Sequence, residues 1–360
     1  MKHLYVFLKA LISTHLYQYL SMYSKDMLLK PLKAIMKAKL FFFTFIQILN
    51  FFLLTQPVVA KETQKDSFVI FFDQQINSSH IALLATRELG FFSDLGLDVN
   101  FVLATSPREA FQQIIDDRGL LAVTTQTRLF LFVGDGIAVK RIATLIDTPL
   151  SGIVTLTKSN IRIQQDLKGK RLGYQADSLD AKIIQAILSN TEKSFNEIQF
   201  VSLDQPITQA LLEGYVDAII TTERQKTIGV IEAHKKTAFL LPIEELGIPP
   251  FDGVVAIAAR NKLNDPKLKR FLQALEHGTL WVLDHPQDAW KLIAQKYNFF
   301  NNEAEQRAYP DLLNRLSAQP QAFSSLRYKR FASFLVEHDL ITVALPISNY
   351  AVELNDESKP

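Results

Sequence analysis

Three short runs of hydrogen-bonding side chains hold most of the chemistry this sequence can offer. Asp73-Gln74-Gln75-Ile76-Asn77-Ser78-Ser79-His80 follows the apolar run Phe68–Phe72. Thr124-Thr125-Gln126-Thr127 and Thr221-Thr222-Glu223-Arg224 each close another apolar, β-type run. These are donors and acceptors, a composition suited to reversible capture of a small polar molecule. No nucleophile elbow, phosphate loop or dinucleotide fingerprint occurs. Gly134-Asp135-Gly136 lacks the further glycine a dinucleotide loop needs and reads as a helix-ending turn, and Lys168-Gly169-Lys170 lacks a glycine-rich cradle. His80, His234, His277, His285 and His338 are scattered without metal-binding spacing, and there is no cysteine. Neither a metal nor another cofactor is therefore expected, and disulfides and thiolate chemistry are excluded. His80 opens a helix directly after the first polar run, so it is either a ligand contact or a packed cap.

The elements that must position these runs alternate. Phe68–Phe72, Leu97–Val102, Leu120–Thr124 and Val139–Leu145 read as strands, separated by helical spacing over His80–Leu89, Ser106–Asp117 and Gln126–Gly134. Ser106 with Pro107 and Glu109 is a helix-start signature. A second unit repeats the alternation from Ile153 to Leu241, with strands at 153–156, 172–174, 198–201, 218–221 and 239–241 and helices at 180–188, 207–213 and 224–234. Gly247-Ile248-Pro249-Pro250 breaks this rhythm, and Val254–Ala258 reads as a strand crossing back. From Asp265 onward the pattern is helical, over 265–284, 286–296, 303–317 and 324–338, with Asp265-Pro266 and His285-Pro286 as N-cap pairs. The polar tail 348–360 reads as frayed. The βα alternation predicts two α/β lobes with mostly parallel sheets, joined by crossing strands, and a helical C-terminal portion. Lobe 1 is expected to comprise 66–152 with 253–345, and lobe 2 to comprise 153–252. In such sheets ligands sit beyond the strand ends, where all three polar runs fall.

Composition is that of a globular chain, 48% hydrophobic and 21% charged over 360 residues, with 39 basic and 37 acidic side chains for a net charge of +2. This balance offers no basic field for nucleic acid. Residues 1–60 differ. Lys37 and Lys39 precede the apolar run Leu40–Thr55, and Pro57-Val58-Val59-Ala60 follows it. This is the pattern of a secretory signal cleaved after Ala60, in an apolar stretch shorter than the roughly 20 residues of a bilayer span. Met36 opens an ordinary signal n-region, so translation is expected to start there. Export as a soluble periplasmic protein follows from this reading.

GFFSDLGLDVNFV (90–102), LKGKRLGY (167–174) and LLEGYVDAII (211–220) together resemble the periplasmic solute-binding proteins of the nitrate/sulfonate/taurine and thiamine-precursor superfamily. The likeness spans about 66–345 and is nearest to binding proteins for thiamine pyrimidine precursors. Their first-loop pattern D-W-x-P-N-x-N-H is met here by Asp73, Asn77 and His80, and ELGIPPFDGVVAIAARNKL (245–263) resembles their return strand. Gln74 stands where the family has an aromatic wall, Thr124-Thr125-Gln126 replaces S-Y-Q, and Glu223-Arg224-Gln225-Lys226-Thr227 replaces Y-R-N-x-E.

The resemblance implies a type II periplasmic-binding-protein fold. It further implies a non-enzymatic ABC-importer component that works as a monomer with an inner-membrane ABC permease and closes its lobes over a small-molecule ligand. Asp73, Gln74, Asn77, His80, Thr124, Thr125 and Gln126 are its implied first-lobe ligand contacts. Tyr174, Gln175, Thr222 and Glu223 are those of the second lobe, with Tyr174 supplying the stacking that Gln74 cannot. A sensor module for a membrane signalling partner is the alternative. A pyrimidine synthase of the same fold is a third reading, disfavoured by the absence of the Cys-rich motif that enzyme carries.

Overall fold

The computed structural model describes residues 65–354, apart from 177 and 191–196. The leader, its cleavage after Ala60 and the Met36 start lie outside the described residues.

The first half runs β1 (Asp66–Phe72), a 3-10 turn (Ser78–His80), α1 (Ile81–Glu88), α2 (Phe91–Asp94), β2 (Leu97–Leu103), α3 (Pro107–Ile115), β3 (Leu121–Thr124), α4 (Gln126–Gly134) and β4 (Val139–Ile146). After one crossing come β5 (Gly152–Leu156), β6 (Arg171–Tyr174), α5 (Leu179–Asn190), β7 (Gln199–Ser202), α6 (Ile207–Glu213), β8 (Ala218–Thr221), α7 (Arg224–Ala233) and β9 (Ala238–Pro242). The chain then returns as β10 (Val254–Ala259) and ends in α8 (Pro266–Asp284), α9 (Pro286–Lys296), α10 (Glu303–Leu313) and α11 (Ser325–Glu337).

Local chemistry explains most of these boundaries. Ser106 caps α3 by accepting from the Glu109 amide at 3.2 Å, with Pro107 as the first helical residue. Asp265 caps α8 by accepting from the Lys267 amide at 2.9 Å, again ahead of a proline. His285 occupies the cap position of α9, but its side chain turns back to the Trp281 carbonyl at 3.2 Å and caps nothing. Gly90 and Gly96 bracket α2 with φ of 84° and 70°, left-handed values that a side chain would disfavour, and this lets the chain fold from α1 into β2 within a few residues.

The ten strands among the described residues form two sheets, ordered β2-β1-β3-β10-β4 and β7-β6-β8-β5-β9. In the first, β1 is parallel to β2 and β3, whereas β10 is antiparallel to both β3 and β4. In the second, β6 is parallel to β7 and β8, whereas β5 is antiparallel to β8 and β9. The expectation of mostly parallel sheets is corrected to two mixed sheets. The cause is topological. The reversed strand in each sheet is the one that has just arrived from the other, and it is inserted inside the sheet, not added at the edge.

Two segments, 147–151 and 243–253, connect the sheets. They touch each other: the Gly253 amide donates to the Ile146 carbonyl at 2.8 Å, and a Cβ on Gly253 would stand 2.5 Å from the Thr148 carbonyl oxygen. Only glycine permits that approach.

Alternation along β1 sorts its side chains onto two cores. Ile70 and Phe72 join the α1–α8 side with Leu83, Phe271 and Leu275, whereas Phe71 joins the α3–α4 side with Phe111 and Phe130. The C-terminal helices are bound into the first sheet's layers, since Tyr309 and Leu312 of α10 share a core with Ile70, and Tyr328 and Phe331 of α11 share one with Phe130.

Arg141 of β4 is fully buried and anchors the loop between α10 and α11, donating to the Pro320 carbonyl at 2.8 Å, to the Gln321 and Ala322 carbonyls and to Thr144 Oγ1. The tail from 348 is also tied down as far as it is described. Tyr350 is buried and stacks on Phe130 at 4.0 Å, and Arg141 and its neighbours on the tail exchange backbone hydrogen bonds. The polar composition of that segment suggested fraying, but one aromatic anchor and an edge-on backbone pairing outweigh it.

Candidate functional site

A cavity of about 880 Å³ opens between the two sheets. Its walls come from the β1–α1 loop, the start of α4, the first crossing, the start of α5 and the β8–α7 junction, with part of α10 completing it. All three polar runs contribute to it.

Of the residues singled out from sequence, Gln74, Asn77, Thr125, Gln175, Thr222 and Glu223 lie on the wall. Asp73, His80, Thr124, Gln126 and Tyr174 lie outside that wall. The Asp73 carboxylate is buried, accepts from Arg128 Nη1 at 3.2 Å and from the Thr124 hydroxyl, and thereby holds Arg128 at the wall. Burial raises its carboxyl above the usual range despite Arg128 and Thr124. Gln126 is buried too, and its Oε1 accepts from the Asp252 amide at 2.5 Å, joining α4 to the return crossing.

His80 resolves to the packed cap. Its Nδ1 accepts from the Asn77 amide at 3.1 Å, while Asn77 Oδ1 accepts from the Ser79 amide at 3.0 Å, a reciprocal capping box. Burial pushes the imidazole down to about 4, so it is neutral, with the proton on Nε2. Its ring packs edge-on against Phe72. This clamp presents Asn77 Nδ2 to the cavity.

Tyr174 ends β6 half-buried against the core and is not one of the wall residues. The aromatic lining residues are Phe251, which is buried and stacks on Phe331 at 4.6 Å, and Phe299, which is exposed.

Asn77 Nδ2 donates across the cleft to Glu223 Oε1 at 3.0 Å. Lys226, one helical turn beyond Glu223, lies 3.3 Å from that oxygen and 2.9 Å from Glu305 Oε1 of α10. Glu305 is buried, and its other oxygen accepts from the Ser78 amide at 3.4 Å. A continuous polar link therefore joins the second sheet's lobe to the first. Burial opposes the charge on Lys226, but Glu223 and Glu305 outweigh it and hold the ammonium above its usual value. Arg224 pairs with Glu244 at 2.8 Å, and Glu244 in turn pairs with Arg315 at 3.3 Å, which pairs with Asp311 at 3.0 Å. Asp180, at the start of α5, accepts from the Ser151 hydroxyl, and burial raises its carboxyl above the usual range, eased by Ser151, Arg128 and Thr127.

The wall residues Arg128, Asp180, Lys226 and Glu305 were not singled out from sequence. Arg128 and Lys226 each sit three residues past a residue that was, and helical spacing could have found them. Asp180 begins a recognisable helix but has no neighbour in sequence to mark it. Glu305 reaches the site from a helix more than two hundred residues away from Ser78, a proximity with no local signal. Among the described residues, no group of three or more His, Asp or Glu side chains is placed to hold a metal ion. The wall offers dense hydrogen bonding and compensated charge.

Two mixed α/β sheets with a polar cavity between them and two connecting segments define the periplasmic-binding-protein fold. The aliphatic sulphonate binding protein SsuA from Escherichia coli superposes with a TM-score of 0.64 at 14% identity, over 79% of this chain and 96% of that one. The chain belongs to the NMT1/THI5-like family, whose model matches residues 77–289. A putative thiamine biosynthesis protein of Haemophilus influenzae is 30% identical over 320 residues, 89% of this chain and all of that protein. The formylaminopyrimidine-binding protein of Halalkalibacterium halodurans is 21% identical over 75% of this chain and 84% of its own length. The 4-amino-5-hydroxymethyl-2-methylpyrimidine phosphate synthase THI13 of Saccharomyces cerevisiae is 26% identical over 69% of this chain and 75% of its own length.

Proposed function

We propose that this protein is the periplasmic solute-binding component of an ABC importer, holding a small polar organic ligand between its lobes and delivering it to an inner-membrane permease. A thiamine pyrimidine precursor is the ligand this reading favours. The observation that carries it is the cavity itself, whose hydrogen-bonding wall is shared by both lobes and whose two connecting segments are short enough to act as a hinge. Asn77, Thr125 and Arg128 would face the ligand from one side, and Gln175, Thr222 and Glu223 from the other. The relative named for formylaminopyrimidine binding supports the ligand class.

A synthase reading draws on the yeast relative. Against it, the one histidine near the site is sealed behind the wall with Nδ1 already engaged, and the sequence has no cysteine. Titration calorimetry of the purified protein against aminopyrimidines, alkylsulfonates and small amines, with small-angle scattering for lobe closure, tests the proposal. Heat and compaction with an aminopyrimidine are expected. Silence with every compound and an unchanged radius of gyration would refute the importer reading.

A further inference from the structure

The cavity wall carries three cations, Arg128, Arg224 and Lys226, and each is already committed to a carboxylate of the protein. Arg128 is bound to Asp73 at 3.2 Å and Arg224 to Glu244 at 2.8 Å, while Lys226 is shared by two carboxylates. An incoming sulfonate, phosphate or carboxylate would find no cation to itself and would compete with a protein carboxylate at each of the three. The reverse holds for positive charge. Asp180 faces the same cavity, is 8% exposed and takes its hydrogen bond from the Ser151 hydroxyl. Arg128 is near enough to be felt, yet its ion pair is with Asp73.

We infer that Asp180 selects the ligand by charge: the site takes a neutral or protonated nitrogen compound whose N–H⁺ or amino group meets Asp180, and it rejects anions, including phosphorylated forms of the same molecule. The inference rests on the binding-protein reading and deepens it. Three observations converge on it: the paired cations, the buried carboxylate hydrogen-bonded to a hydroxyl and in no ion pair of its own, and the position of Asp180 at the wall. The raised carboxyl of Asp180 agrees with a charge that lacks its own counter-ion. In a site shielded from water such a group gains most from a ligand that supplies the missing cation.

The test is a charge series on one scaffold, titrated by calorimetry into the full protein. A 4-amino-2-methylpyrimidine carrying a 5-aminomethyl group is the cation, the 5-hydroxymethyl compound is the neutral isostere, and its phosphate ester is the dianion. A linear diamine and an alkylsulfonate, neither containing a pyrimidine, complete the set. The aminomethyl compound is expected to bind about tenfold or more tightly than the hydroxymethyl compound, and the phosphate ester about a hundredfold more weakly than either. Asp180→Asn should weaken the cation far more than the neutral compound, bringing their affinities to within about threefold of each other.

An anion that binds as well as the cation overturns the inference, as does a D180N loss equal for both compounds or a failure of every cation to bind. The wild-type series decides the question even if D180N folds poorly. If the diamine binds through Asp180 and no pyrimidine does, the pyrimidine reading fails and the charge rule stands. If the neutral pyrimidine binds and charge makes no difference, the charge rule fails and the pyrimidine reading stands.

Discussion

Removing Lys226 should open the cleft before it unfolds the protein. Lys226 lies on α7 beside the second sheet, and its partner Glu305 lies on α10, whose Tyr309 and Leu312 are part of the first sheet's core. At 2.9 Å, an effective dielectric of about 20 gives roughly 6 kcal/mol of attraction before desolvation. The Lys226 side chain is 35% exposed, which screens the pair, whereas that of Glu305 is 3% exposed and cannot rehydrate in place. The net cost of Lys226→Met is therefore about 2–3 kcal/mol, at or below the 3–5 kcal/mol typical when one member of a fully buried pair is deleted. Separation of the lobes relieves the stranded Glu305 by letting water reach it, so the cost falls on the closed form. That corresponds to a weakening of ligand binding by roughly thirty- to a hundred-and-fifty-fold, and to a larger radius of gyration for the ligand-free protein. Glu305→Gln in the K226M background should recover most of the loss, because the amide needs no counter-ion and can still accept from the Ser78 amide. Small-angle scattering, calorimetry and urea denaturation on the single and double variants make the measurement. An unchanged radius of gyration together with a full loss in the urea midpoint would refute the reasoning. So would a double variant no better than K226M alone.

Three further outcomes follow from buried groups. Because His80 titrates at about 4 when folded and near 6.5 when unfolded, the unfolded chain binds the proton first. Stability from this group is full above pH 6.5 and falls as the pH drops from 6.5 to 4, by about 3 kcal/mol; urea denaturation at pH 7 and pH 4.5 should show this loss as the difference between the wild type and His80→Gln, which cancels the other titrating groups. Gly253→Ala places a Cβ 2.5 Å from the Thr148 carbonyl oxygen and forces the two crossings apart, so a destabilisation of about 1–3 kcal/mol is expected in a thermal melt. Arg141→Met leaves the carbonyls of Gln321 and Ala322 without their donor and that of Pro320 with the Thr144 amide alone; the urea midpoint should drop by an amount equivalent to about 3–5 kcal/mol while far-ultraviolet circular dichroism is retained.

Which residues reach the cavity wall was legible in the sequence where a strand hands over to a helix. Asn77 and Glu223 were legible because each ends an apolar strand run and begins a helix, the junction that faces the cleft in open α/β sheets. Asp73 and His80 belong to the same junction but stand buried behind the wall, since a polar residue there can serve the backbone or a neighbour as readily as a ligand. Nothing in the linear pattern says that Asp73 will meet Arg128, or that Asn77 and His80 will cap each other. Tyr174 carries a ring at a strand end, and only the packing of β6 shows that ring half-buried against the core. The polar tail misled in the opposite direction, because Tyr350 finds Phe130 across the fold.

The alternation of apolar strand runs with amphipathic helices, broken once near residue 250, determined by itself that this chain builds two α/β units and rejoins the first. Periodicity and capping are short-range, acting over one strand or one helical turn, and so they survive in a linear text. The insertion of β5 and β10 as the reversed strands was decided only by the tertiary structure. So were the arrival of Glu305 at Lys226 and the isolation of Asp180 among paired charges. Those depend on which distant surfaces are brought within a few ångströms of one another, and on how much water is excluded when they meet.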